Sequence, residues 1–598
     1  MQKKHYLIGI IVISIFFLVQ SIWSMREKTA TFDEIGHVAA GYSFLKYNDY
    51  RLYDVDPPLM RQIAALPLMF MNLNFPLHSA GWNEKKEIDV GYDFFYKMNG
   101  RKADTMLFWA RLPIVLFSLL FGLVLLKFAA DLWNVQTGLF AFFLYSFEPN
   151  ILANSRLATT DMGLAFFIML SVYFTYRYWK KPSWKNVLAI GVSFGLAIAS
   201  KTPGMILIPF FFVVLLIVRP FVKNADSSFP FSNRLKMVYF NKKIGIYLLH
   251  WIAILLVGFF VLSMDYGFFK TWAVFRDDND LQKFELSLDK LKIHSPQAKE
   301  VAVNLARRVR VPARPFIVSF VKWFGFLPRS KDEGKVQGYR PFFHGKRGKF
   351  FEFPFVVFLI KEPIPIILLI LMGSILLIFY DFRKFLFLFL PILFILSMDL
   401  KVHPWTYRYI NLLILPFLIL IGSSVLYYKI AFKKKVRFGI GLMAVWLFIE
   451  SLVIFPNYLV YFNELIGGPS QGHNYLVNSN LDWGQDLKRL KKYLDQNHIE
   501  EVNLSYFGSA DPDYYHIRYK KMLGVNGRET GEETSEEIQR LTAPRLGFIA
   551  ISATCLENIE GFFPGASYDW LKKYKPMANI GYSIFIYNIK DFSGKNEG

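Results

Sequence analysis

The sequence predicts a polytopic α-helical membrane protein of about eleven transmembrane helices, with outward loops that bear interfacial helices and a small α/β domain at the end of the chain. Three observations predict it. Of the 598 residues, 54% are hydrophobic and 18% aromatic, with 62 Phe, while only 19% are charged, below the roughly 25% of an ordinary soluble protein. The apolar residues come in long uninterrupted runs, each near the ~20 residues that cross a hydrocarbon layer. Basic residues gather in short segments between alternate runs, as the cytoplasmic loops of membrane proteins do. This composition excludes intrinsic disorder, which requires low hydrophobicity. The net charge of +22, which in a soluble chain would point to nucleic acid, is accounted for by loop lysines and arginines, so no nucleic-acid partner is expected.

The first run, Tyr6 to Trp23, follows Lys3 and Lys4 and reads as a retained helix with its N-terminus in the cytoplasm. Further runs fall near 107–127, 137–152, 162–178, 186–200, 204–219, 244–264, 354–380, 384–399, 406–428 and 438–456. The inward loops then hold Arg177, Lys180, Lys181 and Lys185; Arg219 through Lys243; Arg383 and Lys384; and Lys433, Lys434, Lys435 and Arg437. Residues 1–457 form the membrane domain, with a first outward loop at 25–106 and a larger one at 265–353, and 458–598 form an extracytoplasmic tail. Leu59 to Leu73 and Phe316 to Phe326 are apolar but too short to span, and suit interfacial helices. In the tail, Asp486 to Asn497 has Leu487, Leu490 and Leu494 on one helical face. Val502–Phe507, Leu546–Ser552 and Tyr582–Ile589 read as strands. The single Cys555 excludes an intramolecular disulfide and reads as a small buried hydrophobe.

Charged residues stand beside the outer membrane boundary in several distant stretches. Asp33 and Glu34 follow the first run, with His37 one turn on, and Asp161 opens the run at 162–178. A carboxylate beside hydrocarbon is costly unless paired or solvated, which makes such residues functional candidates; the plain alternative is that Asp33 and Asp161 cap helices. Asp56 precedes Pro57 and Pro58 at the entry to the first interfacial helix, a geometry that Pro-Pro fixes by itself. Lys201, Lys361 and Arg408 lie at outer ends of runs. Each suits a snorkelling anchor, and together they suit a site for an anionic, membrane-dissolved substrate. The stretch from Tyr461 to Asp486, which holds Asp482 and Trp483, is dense in Gly, Asn, Asp and aromatics, as both polar turns and sugar sites are. No Walker loop, dinucleotide glycine fingerprint or HExxH is present, nor any Cys-based metal site.

The order of these features resembles the GT-C glycosyltransferases, in the branch of the protein O-mannosyltransferases and the aminoarabinose transferases of lipid A. The resemblance rests on Thr31-Phe-Asp33-Glu34, Asp56-Pro57-Pro58-Leu59, Pro149 to Ala153 with Thr160-Asp161, the Gly195 to Lys201 turn, and Tyr461-Phe-Asn-Glu464 through Ser479-Asn480-Leu-Asp482-Trp483-Gly484-Gln-Asp486. It implies a GT-C-like fold in the cell (plasma) membrane and a sugar donor carried on a polyprenyl phosphate. It also implies transfer, with inversion, to an extracytoplasmic acceptor that is a protein, a lipid or a glycan. By the same resemblance Asp33 is the leading catalytic residue, with Glu34 as partner. Asp161 shapes the site or, with Asp33, holds a divalent metal (Mg, Mn or Zn), and Lys201 and Arg408 hold the donor phosphate. Asp56 stands where the aminoarabinose transferases carry a basic residue, a departure at the acceptor side. His37, Asp56, Lys361, Asp482 and Trp483 complete the expected substrate-binding set.

The chemistry agrees with the residue types: a phosphate leaving group needs positive charge more than a general acid, and an acceptor hydroxyl or amine needs a base. Two alternatives remain within reach of the sequence. One is a lipid-linked oligosaccharide transferase or ligase. The other is a non-enzymatic transporter, flippase or scaffold, although inverted repeats and midspan charges are not apparent.

Overall fold

A long apolar run in lipid has no water to take up its N–H and C=O groups, so it must satisfy them internally, and a helix does so. In the computed structural model the runs are helices, and the chain is a polytopic α-helical membrane protein with a small sheet domain near its end. Residues 2–52, 56–218, 240–267, 295, 297, 299–301, 303–304, 342–348, 350–402, 406–428, 433–526 and 533–592 are described. The interfacial helix expected at Phe316 to Phe326 lies outside these residues, as do most of the 265–353 loop and most of the basic segment from Arg219 to Lys243.

Helix α1 (Gln2–Arg26) leads into the first loop, built from α2 (Glu34–Tyr47), α3 (Leu59–Ala65), α4 (Ala80–Asn83) and α5 (Glu87–Tyr92). A 3₁₀ turn, Leu66–Phe70, continues α3. Leu66 and Phe70 remain 52% and 88% exposed, as fits the interfacial position expected from this segment. Further helices follow: α6 (Ala103–Leu132), α7 (Val135–Phe147), α8 (Pro149–Ser155), α9 (Asp161–Lys180), α10 (Trp184–Ser200), α11 (Leu207–Phe212) and α12 (Phe240–Asp265). After a short hairpin, β1 (Phe342–Phe343) with β2 (Lys346–Arg347), come α13 (Phe353–Lys361), α14 (Ile364–Tyr380), α15 (Phe382–Val402), α16 (Tyr407–Ser423) and α17 (Lys434–Val453).

Two runs expected as single crossings are broken. The run at 137–152 divides at Glu148, whose carboxylate caps α8 by accepting from the N–H groups of Asn150 and Ile151, with Pro149 at the first helical position. The run at 354–380 bends by 115° between α13 and α14. There Pro363 forces Glu362 into an extended conformation (φ −86°, ψ 141°). Among the described residues, five helices are long and apolar enough to cross a membrane, or six counting the bent pair; the remaining runs form shorter or more polar helices packed among them. Helix α16 sits at the centre, against α7, α9, α14 and α15, with 83% of its apolar window enclosed by protein.

The tail carries α18 (Leu487–Gln496), β3 (Val502–Ser505), β4 (Tyr519–Lys521), α19 (Ser535–Thr542), β5 (Gly547–Ser552), α20 (Ala553–Asn558), β6 (Ala578–Ile580) and β7 (Ile584–Ile589). The sheet order is β4-β3-β5-β7-β6. Strand β3 runs parallel to both β4 and β5, while β7 runs antiparallel to β5 and β6. Leu487, Leu490 and Leu494 of α18 are buried in the core of this domain, as their spacing requires.

Candidate active site

The turn between α1 and α2 is held by a buried ion pair. Glu34 accepts from Arg111 Nε and Nη2 of α6 at 2.9 and 2.6 Å. It also accepts from Thr31 N and Oγ1 at 2.8 and 3.0 Å, and from Ala158 N at 2.8 Å. Arg111 spends its remaining donors on the carbonyls of Met25, Lys28 and Thr29. Burial pushes the Glu34 carboxyl up, but the Arg111 charge and these hydrogen bonds outweigh it and hold the group below the usual carboxylate range. Both oxygens are committed to the protein, so Glu34 is a staple of the turn and not the catalytic partner that the resemblance implied.

Asp33, the residue before it, is 29% exposed in its side chain and belongs to a different network. Arg408, in the first turn of α16, donates from Nη2 to Asp33 Oδ2 at 3.0 Å and from Nη1 to Asp161 Oδ2 at 3.2 Å. Lys201, at the end of α10, donates to Asp161 Oδ1 at 2.7 Å. Carboxylates and cations from four distant stretches therefore alternate as Lys201–Asp161–Arg408–Asp33, at the helix ends where the sequence predicted a site. The cations rest on aromatic faces: Lys201 Nζ lies 4.7 Å from the Tyr409 ring centre, and the Arg408 guanidinium carbon 4.0 Å from that of Trp483. Arg408 Nε is buried with no hydrogen-bond partner among the described residues, and so are the hydroxyls of Thr406, Ser479 and Thr159, which stand close by along the chain. A buried polar atom without a partner costs about 1–3 kcal/mol, and such a group facing a site marks room for a polar ligand.

Trp483 reaches this site because the tail docks on the α1–α2 turn. Thr29 N donates to Gln485 O at 3.0 Å, and Phe32 N to Trp483 O at 2.9 Å. The Lys28 ammonium bonds Asp486 Oδ1 at 2.5 Å and Asn457 Oδ1 at 2.6 Å. Gly484, at φ +87°, passes so near Gly508 that an added Cβ would lie 2.6 Å from the Gly508 Cα. The long motif in the sequence is thus a docking strip whose Trp483 forms the back wall of Arg408.

His37 is buried, and its Nδ1 accepts from Arg61 Nε at 2.8 Å, which leaves the ring proton on Nε2. Burial first, then the charges of Arg61, Arg408 and Lys201, hold its pKa well below the ordinary value, so the ring is neutral. Arg61 also ties Asp56, through Asp56 O at 2.8 Å and Oδ2 at 3.5 Å, and Asp56 is near enough to Lys201 for their charges to interact. Gly41 on α2 makes this possible: a Cβ there would lie 2.0 Å from Arg61 O. His37 and Asp56 therefore border this network.

Two other expected ligands have structural positions instead. Lys361 donates to Leu459 O and Asn480 O at 2.9 and 2.6 Å, so its ammonium pins the tail strip from beneath. Asp482 is buried, with Oδ2 accepting from Thr554 N at 2.9 Å; it ties the strip to α20. Sequence reasoning missed Arg111, Arg61 and Lys28. The available signal was a charge such as Arg111 set inside an apolar helix.

The expected metal does not fit these residues. Asp161 gives both oxygens to cations and Asp33 shares Arg408. Among the described residues, no group of three or more His, Cys, Asp or Glu side chains is placed to hold an ion.

Residues 102–231 match the family described as dolichyl-phosphate-mannose-protein mannosyltransferase. No curated protein matches the chain. Among solved structures, ArnT from Cupriavidus metallidurans bound to undecaprenyl phosphate is 12% identical, with 98% of this chain and 99% of that one covered at a TM-score of 0.40. The archaeal oligosaccharyltransferase AglB from Archaeoglobus fulgidus is 12% identical, covering 96% and 73% at 0.45. The S. cerevisiae protein O-mannosyltransferase Pmt1-Pmt2 complex is 19% identical, covering 44% and 33% at 0.30. The family match falls on the helices that present Arg111, Asp161 and Lys201.

Proposed function

We propose that this protein transfers a single hexose or pentose, with inversion, from a polyprenyl-phosphate donor to an acceptor on the extracytoplasmic face of the cell membrane. The observation that carries the reading is Arg408, whose guanidinium joins Asp33 to Asp161 and still has a buried Nε–H to offer. Asp161 orients Arg408 and Lys201, and these cations receive a donor phosphate oxygen. Neutral His37, with its proton on Nε2, borders them as a donor that adds no charge. Asp33 is the more accessible carboxylate of the quartet and takes the proton of the acceptor hydroxyl or amine. The acceptor atom attacks the anomeric carbon on the face opposite the phosphate. The bond from that carbon to the phosphate oxygen breaks, and polyprenyl phosphate departs with its charge on Arg408 and Lys201.

The test is mass analysis of envelope glycans and lipids in cells lacking the protein, complemented with wild type or Asp33→Asn. Wild type restores a missing sugar; Asp33→Asn, inserted at the same level, transfers about 10²–10⁴-fold more slowly. Full restoration by Asp33→Asn would remove Asp33 from the chemistry. Membranes from the wild-type cells transfer equally well with and without EDTA, because side chains carry the positive charge.

A further inference from the structure

A cavity of about 160 Å³ opens in the tail beside the proposed catalytic turn. It lies beyond the carboxyl ends of the parallel strands β3 and β4, the place where open α/β sheets receive ligands. Its lining combines three tyrosines (Tyr92, Tyr506 and Tyr519) with Asp511, Asp513 and Lys521. Two backbone segments with little side chain, at Gly508 and Gly524, keep it open: a Cβ at Gly508 would lie 2.3 Å from Tyr506 Oη, and one at Gly524 2.5 Å from Tyr506 O.

Residues that line the cavity, and Phe507 beside them, contact the segments that carry Asp33 and Trp483. Ser509 lines it and donates from Oγ to Thr31 O at 3.3 Å, two residues before Asp33. Phe507 stacks on Phe32 with ring centres 5.2 Å apart. Tyr506 lines the cavity and donates from Oη to Gly484 O at 2.5 Å, next to Trp483. Tyr92 of α5 closes the wall by donating to Asp511 Oδ2 at 2.9 Å.

We propose that this crevice is the acceptor subsite and that it takes a sugar ring, so that the acceptor is itself a glycan. The inference rests on the transferase reading and adds the class of acceptor to it. The volume holds several waters, room for one ring. Its chemistry is mixed in the way a sugar is mixed: aromatic faces for C–H surfaces, and carboxylates and an ammonium for hydroxyls that both donate and accept. A phosphate would meet Asp511 and Asp513, and a bare ammonium would meet Lys521.

The experiment is ligand-observed saturation-transfer NMR on the purified full-length protein in nanodiscs. The probes are the methyl glycosides of glucose, mannose, galactose and N-acetylglucosamine, with trilysine as a cationic control. At least one glycoside saturates. Its signal falls by about fivefold or more, the worth of one aromatic contact, in Tyr519→Ala and in Asp513→Asn, both folded by thermal unfolding, and persists in Asp33→Asn. No glycoside signal, a signal indifferent to both crevice variants, or trilysine binding that displaces the glycoside would each overturn the subsite. The two readings fail separately. Loss of transfer in Asp33→Asn with a crevice-independent glycoside signal sinks only the subsite. A crevice-dependent signal with undiminished transfer in Asp33→Asn sinks Asp33 as the base.

Discussion

Asp33 and Glu34 are neighbours in the chain, yet one is 29% exposed beside Arg408 and the other is sealed against Arg111. The difference defines two tests. Arg408→Lys keeps a positive charge but loses the planar fork that reaches Asp33 and Asp161 together. Turnover falls by about 10²–10³, as for other losses of a charge-stabilising donor, while the thermal midpoint moves little; activity within a few fold of wild type would take Arg408 out of phosphate binding. Arg111→Met does the reverse. It leaves Glu34 charged, buried and unpaired, at a cost of about 3–5 kcal/mol, much of which Glu34→Gln/Arg111→Met recovers. Thermal unfolding in detergent reads this, and equal midpoints for the single and double variants would contradict the pairing. The sequence exposed Asp33, Asp161, Lys201 and Arg408 as candidates because hydropathy marks a charge at the end of an apolar run. It did not expose the commitments of Glu34 or Lys361. Those depend on Arg111, far along the chain, and on the carbonyls of Leu459 and Asn480, which carry no signature of their own.

The strip Asn478 to Asp486 works as an element, joining the tail to the α1–α2 turn and setting Trp483 behind Arg408. Asp482 links this strip to α20, and burial pushes its carboxyl up to about 7. An unfolded aspartate loses its proton near about 3.9. Between these values the folded chain holds a proton that the unfolded chain has released, so stability falls as pH rises from about 4 to about 7, by at most about 1.4 kcal/mol per pH unit. Asp482→Asn, neutral throughout, lacks this slope. The thermal midpoints of wild type and variant therefore draw together at pH 4.5 and separate by pH 8, with the variant higher; a pH-independent difference would refute the protonated Asp482. At this scale the sequence disclosed helices by run length and the three longer strands of the tail by β-branched and aromatic content. It did not disclose β4, whose three residues Tyr-Lys-Lys show no alternation of apolar and polar. The bend between α13 and α14 falls at Lys361-Glu362-Pro363, a polar break inside the run at 354–380 that run length alone does not register.

The whole molecule has a polarity that follows from α9 and α10. Helix α9 starts at Asp161, in the site, and ends at Lys180; its 20 residues span about 30 Å, the thickness of a hydrocarbon layer. Helix α10 starts beyond the Lys180-Lys181 turn and returns to Lys201, which pairs with Asp161. The ion pair closes the hairpin and leaves its basic turn at the far end from the site. Helix α1 obeys the same order, with Lys3 and Lys4 near its start and Lys28, just past its end, bound to Asp486 of the tail. With the rule that basic loops face the cytoplasm, this order supports the proposed placement of the site and the tail outside. The only native thiol leaves this open to a direct test. Cys555 is fully buried, and burial pushes its pKa up to about 12, so it is silent to maleimides in the folded protein. Single cysteines at exposed positions therefore report alone. Lys573→Cys in the tail is labelled by a membrane-impermeant maleimide in intact cells, and Lys181→Cys at the basic turn only after permeabilisation. The opposite pattern would place Asp33 and Arg408 in the cytoplasm and end the extracytoplasmic reading. Labelling of both in intact cells would show that α9 and α10 do not cross as a hairpin.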